Sequence, residues 1–442
     1  RESFRRIKPV HYFLQAFGER VAPMVVRRPS VLPSGLSDTT TLRISARTLG
    51  ESGYIFFNNY LRGHRMKEHN TRVALRLPGE TLTVPSTPTR IPSGTYGIWP
   101  VNLRIGSALL KYSTAQLVTR TSGDDPVYVF FAIPGVTPGF SFDARGNIRV
   151  SAPGARVLRE RERVVVRDLT PGSGVAITFD AGDGARTRIV LLTREQAENL
   201  WTTRINNIDL LLLSPQEVFF DSSSIHVLAK ETPQFSIATY PELPAATVAN
   251  FGLSRQGREG IFTRYSASLP PRSVSLDVRK VREAALIPPV KKFNAVTWRK
   301  EAIALAPSDS AFDQAAVWSI GVPARALDSL SNVFLDIHYV GDVARLYSGG
   351  TLLDDDFFKG TPWRIGLRRF RSQLARGPLE LRVLPLRKDA PIFLQTSAIS
   401  FPTSGQTANL IGIRAVPEYE LIIDAEKGKP STTIGFSGRR VR

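Results

Sequence analysis

"NVFLDIHYVGDVARLYSGGTLLDDDF" (residues 332–357) decides the fold class of this chain. Val333, Leu335, Ile337 and Tyr339 alternate with Phe334, Asp336 and His338, the two-residue period of a strand whose successive side chains point to opposite faces. The Gly349–Gly350 pair supplies the positive φ angles of a tight hairpin turn, so a second and third strand follow directly. The same texture extends in both directions. "DQAAVWSIGVP", "PLELRVLPLR" and "YELIIDA" belong to the same block, and "VYVFFAIPG" (127–135), "RVVVRDL", "GVAITFDAG", "TRIVLLT" (187–193), "SIHVLAK" and "QFSIATYP" lie upstream. Short β-branched or aromatic runs, each closed by Gly, Pro or Asn, predict an all-β chain of sandwich or barrel modules.

Only the first twenty residues read as a long helix. Phe4, Ile7, Val10, Leu14, Phe17 and Val21 recur at steps of three or four, giving one apolar stripe. Pro9, lacking an amide donor, is expected to kink or restart it, and Gly18 to start its unwinding. With strands nearly everywhere after it, the natural partner of that stripe is expected upstream of Arg1. A short helix is predicted at "TREQAENLW" (193–201), where Thr193 and Gln196 have capping-box spacing.

At 442 residues about three domains are expected. The division predicted is 1–40, a helix and exit segment; 41–122, a first β-domain; 123–245, a second β-sandwich; 246–310, a Pro-rich connector; 311–425, a jelly roll; and 426–442, a basic tail. No apolar run approaches the roughly 20 residues of a membrane span. The chain starts at Arg1, and its first methionine is Met24, so it reads as a processed chain or a piece of a longer one.

Composition removes several chemistries. With no cysteine there is no disulfide, zinc-thiolate site or thiol nucleophile. Of five histidines only His64 and His69 are close in sequence, and two solvated loop histidines are the plainer reading. The net charge of +19 is spread and mixed with acids, as in "RVLRERERVVVRD" (156–168), so a solvated arginine-rich surface is expected rather than a nucleic-acid site. "GSGVA" (172–176) and "GDGAR" (182–186) are turns between strands, without the strand–turn–helix context of a phosphate loop. No cofactor is expected.

Three sets of residues remain as site candidates. In "SGYIFFNNYLRGHRM" (52–66), Asn58, Asn59, Tyr60 and Arg62 follow a buried-looking strand; they are expected to satisfy backbone groups at a domain junction. Asp354, Asp355 and Asp356 are expected on a solvated turn, with a structural calcium as the functional alternative. Trp99, Trp201, Trp298, Trp318 and Trp363 are either packing residues or sugar platforms. Trp363, in "KGTPWRIGL", is the one expected on a loop and exposed, with Tyr347 nearby as a second carbohydrate-binding candidate.

These blocks resemble the region downstream of the catalytic barrel in bacterial β-galactosidase-like enzymes of glycoside hydrolase family 35. "HYFLQAFGERVAPM" (11–24) looks like a last barrel helix and exit, "GYIFFNNYLRGHRM" with "IPSGTYGIWPVNL" (91–103) like the first β-domain, and residues 333–370 and 379–394 like a terminal galactose-binding-like jelly roll. In such enzymes the resemblance implies retaining hydrolysis of terminal β-galactosides by two glutamates about 5 Å apart in a (β/α)8 barrel. No glutamate here matches either role, so no catalytic residue carries over. The resemblance therefore implies a non-catalytic β portion whose partner is a barrel, upstream or on a separate chain, and whose whole enzyme takes a β-galactoside. The alternative is a stand-alone carbohydrate-binding or adhesive protein working through Trp363 and Tyr347.

Overall fold

The computed structural model describes residues 2–123, 125–145, 149–174, 176–180, 186–205, 207–221, 223–244, 248–293, 303–392 and 399–424. Strands take about 53% of the chain and helices about 10%, with one long helix at the N-terminus, so the fold is all-β. Trp298, the "GDGAR" turn and the basic tail fall wholly or mostly outside the described residues.

Two compact units divide the chain. The first runs to Ile225 and takes in Ser236–Ser266; the second holds His226–Phe235 and Ala267–Ile422.

In the first unit an eight-stranded sheet has Arg43–Leu49, Ser52–Asn59, Thr95–Ile105, Ala108–Ser113, Phe140–Asp143 and Arg163–Arg167 as its consecutive inner strands. It takes strands from both sides of residue 122, where composition alone suggested a boundary. A five-stranded sheet includes a parallel pair, Val127–Phe131 with Arg186–Leu192. A shared core of Leu103, Leu110, Leu117, Phe130, Phe140, Phe142, Ile177 and Phe179 crosses the same point, all of them buried.

The N-terminal helix, Glu2–Val21, runs without a break through Pro9 and Gly18. The Pro9 ring removes one backbone donor, but it lies on the buried side, where packing holds the helix together. That side differs from the predicted stripe. Phe13, Phe17 and Val21 enter the core, Phe13 meeting Tyr54 edge-on with centroids 5.2 Å apart. Phe4, Ile7 and Leu14 are 53%, 48% and 49% exposed. At 3.6 residues per turn these three lie roughly half a turn round from Pro9, Phe13 and Ala16. The stripe read from sequence is one arc of about 140°, of which Phe17 and Val21 are buried while Phe4, Ile7 and Leu14 stay half exposed, and burial extends past its edge to Phe13 and Pro9. Its buried face is covered within this chain rather than upstream.

The Thr193 capping box forms as expected. The Gln196 amide donates to Thr193 Oγ1 at 3.1 Å, and the Thr193 amide donates back to Gln196 Oε1 at 3.0 Å.

Within the second unit, Asn332–Val340 lies between Asn409–Asp424 and Trp363–Gly366, antiparallel to both. Val333, Leu335 and Ile337 are fully buried, as the alternation predicts. Being an inner strand, it buries the opposite face too. Asp336 there accepts from Arg364 Nε at 2.5 Å and Nη2 at 2.6 Å, and from Arg414 Nη2 at 3.2 Å. The second sheet runs Asp277–Arg282, Ala316–Gly321, Leu379–Val383, Val343–Ser348, Thr351–Phe357. Gly349 and Gly350 turn its hairpin with φ of +52° and +80°.

Part of the expected Pro-rich connector is structured. Ser254–Glu259 and Phe262–Ser268 form a hairpin in a five-stranded sheet with Leu200–Ile205, Ile208–Leu213 and Gln234–Tyr240, and Asp277–Arg282 is an edge strand. Prolines at 270 and 271 separate these strands and those at 288 and 289 follow the last of them, which is why the segment reads as irregular.

Candidate functional site

Asn59 closes the Ser52–Asn59 strand, and its side chain is fully buried. Its Nδ2 donates to the carbonyls of Lys67 at 2.9 Å, Pro92 at 3.0 Å and Ile91 at 3.3 Å. One amide thus ties the root of the strand to the two segments beside it. Leaving those carbonyls unpaired in a buried site would cost about 1–3 kcal/mol. Asn58 is exposed and its Oδ1 accepts from the Tyr60 amide at 2.8 Å, a local turn bond. Tyr60 and Arg62 are both exposed. The four candidates therefore separate into an internal clamp, Asn59, and a polar turn on the surface.

The carbohydrate and calcium candidates are placed differently from expectation. Trp363 is 5% exposed and opens the Trp363–Gly366 strand opposite Ile337, so it packs instead of presenting a face. Gly360 and Pro362 before it and Gly366 at its end make a four-residue strand look like a loop. Tyr347 is buried as well, with the Arg382 guanidinium 4.5 Å from its ring centroid. Trp99, Trp201 and Trp318 are buried too.

Asp354, Asp355 and Asp356 lie in the Thr351–Phe357 strand, where alternation sends neighbouring side chains to opposite faces. Asp354 pairs with Arg369. Asp356 accepts from Lys359 Nζ at 2.5 Å and from Tyr339 Oη at 3.1 Å. Cations and a phenol thus occupy these oxygens. Among the described residues no group of three or more His, Cys, Asp or Glu side chains is arranged to hold a metal ion. His64 sits in a turn and His69 opens the His69–Leu77 strand. Burial, and then the Lys67 charge, lower the His69 pKa.

Two features escaped the sequence reading. One is Lys8, which is buried with its Nζ 3.3 Å from the Trp201 ring centroid and without a hydrogen-bond partner among the described residues. Burial, reinforced by the Arg5 charge and opposed by Glu198, pushes its pKa down to about 7. Its neighbours on the helix are apolar or basic, and nothing local marks it as an interior residue.

The other is a polar cleft of about 530 Å³ on the eight-stranded sheet, with Asn102, Lys111 and Glu80 in its wall. Lys111 Nζ and Asn102 Nδ2 both donate to Glu80 Oε1, at 2.7 and 2.8 Å. Burial alone would raise the Glu80 pKa, but these bonds and the nearby cations outweigh it and hold it below the usual carboxylate range. Asp143, in the same wall, is likewise lowered by Arg145. The general acid of a glycosidase needs the opposite shift, so neither carboxylate is suited to that role.

No family model matches the chain, and no curated protein matches it. Among solved structures, the family 31 α-xylosidase of Xanthomonas citri is similar at 9% identity over 91% of this chain, with a TM-score of 0.13. This chain spans 38% of that enzyme's length. A likeness at that score carries no argument about fold or function.

Proposed function

We propose that this chain is the non-catalytic β portion of a β-galactosidase-like glycoside hydrolase of family 35, and that its task is to hold a (β/α)8 barrel that performs the hydrolysis. The resemblance in residues 11–24, 52–66, 91–103 and 333–370 suggests the family. One structural observation supports the holding role, namely the half-exposed part of the apolar arc of the N-terminal helix, where Phe4 has a ring contact within the chain, with Trp201 at 6.5 Å between centroids. Phe4, Ile7 and Leu14 stand about half exposed on one side of the helix, and Val25, Val26, Val31, Leu32 and Leu36 are exposed in the segment that follows. A surface helix with no further partner is polar on its outer face, and clustered exposed apolar side chains mark an interaction surface. In this reading the barrel covers that surface, and the β units supply rigidity rather than chemistry.

The purified chain, assayed alone with a chromogenic β-galactoside, is expected to show no turnover above buffer. Turnover that copurifies with the chain and falls on Glu80→Gln would overturn the reading.

A further inference from the structure

The cleft around Asn102 has the chemistry of a small-ligand site, independently of whether a barrel docks elsewhere on the chain. Its floor is built across neighbouring strands. Asn102 lies in Thr95–Ile105 and Lys111 in Ala108–Ser113, while Asp143 and Arg163 are register partners on the next two strands. Glu80 reaches in from the start of Glu80–Ile91.

Asn102 is held in a costly state. Val101 and Leu103 pair with Tyr112 and Leu110 in one unbroken register, which sets Asn102 directly opposite Lys111. The Asn102 φ is +47°, a left-handed conformation that favours glycine. Backbone strain of this kind, worth on the order of 1–3 kcal/mol, concentrates at functional sites. The strain places Nδ2 where it donates to the Glu51 carbonyl at 2.7 Å as well as to Glu80. The Oδ1 is left with no hydrogen-bond partner among the described residues. Asn102 and Lys111 are each 7% exposed. Lys111 is a buried cation whose ammonium has three donors, one of them used by Glu80.

The lining as a whole carries four carboxylates and four cations, with Leu49 and Leu109 as its apolar patches. An anion or a cation would face as many like charges as opposite ones. A hydroxyl, which donates and accepts at once, fits donors interleaved with acceptors. The volume suits one ring of a small ligand, and the leucines can take its C–H face.

We propose that this cleft binds a neutral polyhydroxylated ligand, a free sugar or polyol or the terminal sugar of a glycan, with Lys111 and Glu80 as contact residues and Asn102 as the positioning residue that fixes Glu80.

The test is titration of the full chain, by calorimetry and saturation-transfer NMR, with D-galactose, D-glucose, myo-inositol, a galactose-terminated oligosaccharide and sodium sulfate. At least one neutral probe is expected to saturate in the millimolar range, with sulfate at least tenfold weaker. An oligosaccharide tenfold tighter than the free sugars identifies a glycan end as the natural ligand, and equal affinities identify a free sugar or polyol. Lys111→Met is expected to weaken binding at least tenfold. Asn102→Gly relieves the backbone strain but gives up two hydrogen bonds, offsetting effects that are expected to leave the melting temperature within a few degrees of wild type while binding falls at least fivefold. The proposal is overturned if no neutral probe saturates the folded wild type by 50 mM, if sulfate binds tightest, or if a folded Lys111→Met or Asn102→Gly chain binds like wild type. Each of these results leaves the barrel-holding reading standing, because that surface is elsewhere on the chain.

Discussion

Lys8 shows how one side chain can set a pH dependence. An unfolded lysine keeps its proton up to about 10.5, whereas burial brings the folded Lys8 down to about 7. Between those values the unfolded chain binds more protons than the folded one, so stability rises with pH across that window and is at its lowest, from this group, below pH 7. The Trp201 face opposes the shift, since a cation over an indole gains about 1–2 kcal/mol, but desolvation is the larger effect. Lys8→Met is therefore expected to raise the melting temperature by about 3–6 °C near pH 6–7, with the gain fading to nothing by about pH 10.5. Thermal melts from pH 6 to 10.5 check this, and an equal gain at every pH would count against a titrating Lys8. Residues of this sort are hidden in the sequence. Lys8 is separated from Trp201 by almost two hundred positions, and Asn102 and Lys111 meet Glu80 only through strand pairing.

Elements were legible where local periodicity coincided with burial. The strand at Asn332–Val340 and its Gly349–Gly350 hairpin follow from alternation and turn chemistry, and the Thr193 cap follows from spacing. The N-terminal helix was legible as a helix with one apolar arc, but which part of the arc is buried was not, because the contacts of Phe13 and Phe17 come from strands far away in sequence. The buried and the half-exposed parts should behave differently. Phe13→Ala empties a buried contact with Tyr54 and is expected to cost about 3–5 kcal/mol. Changing Phe4, Ile7 and Leu14 together to Ser is expected to cost less per residue, about 1 kcal/mol each, as these positions are half exposed. Urea unfolding of the two variants separates the two parts, and a loss in the triple variant as large per residue as that of Phe13→Ala would mean that the outer stripe is already packed within the chain.

At the scale of the whole molecule, composition and texture gave the all-β class, but the grouping of strands was not readable. One sheet gathers strands from both sides of residue 122, and segments around 230 and 250 change units, because long-range pairing decides membership and leaves no local mark. The central claim, that the outer face of the N-terminal helix receives a catalytic barrel, has a direct measurement. The chain is titrated calorimetrically with a recombinant family 35 (β/α)8 domain expressed without its β-modules, in parallel with the triple Ser variant. The expected result is a 1:1 complex with wild type and at least tenfold weaker association with the variant. No association with wild type, or equal association with both chains, would contradict the account.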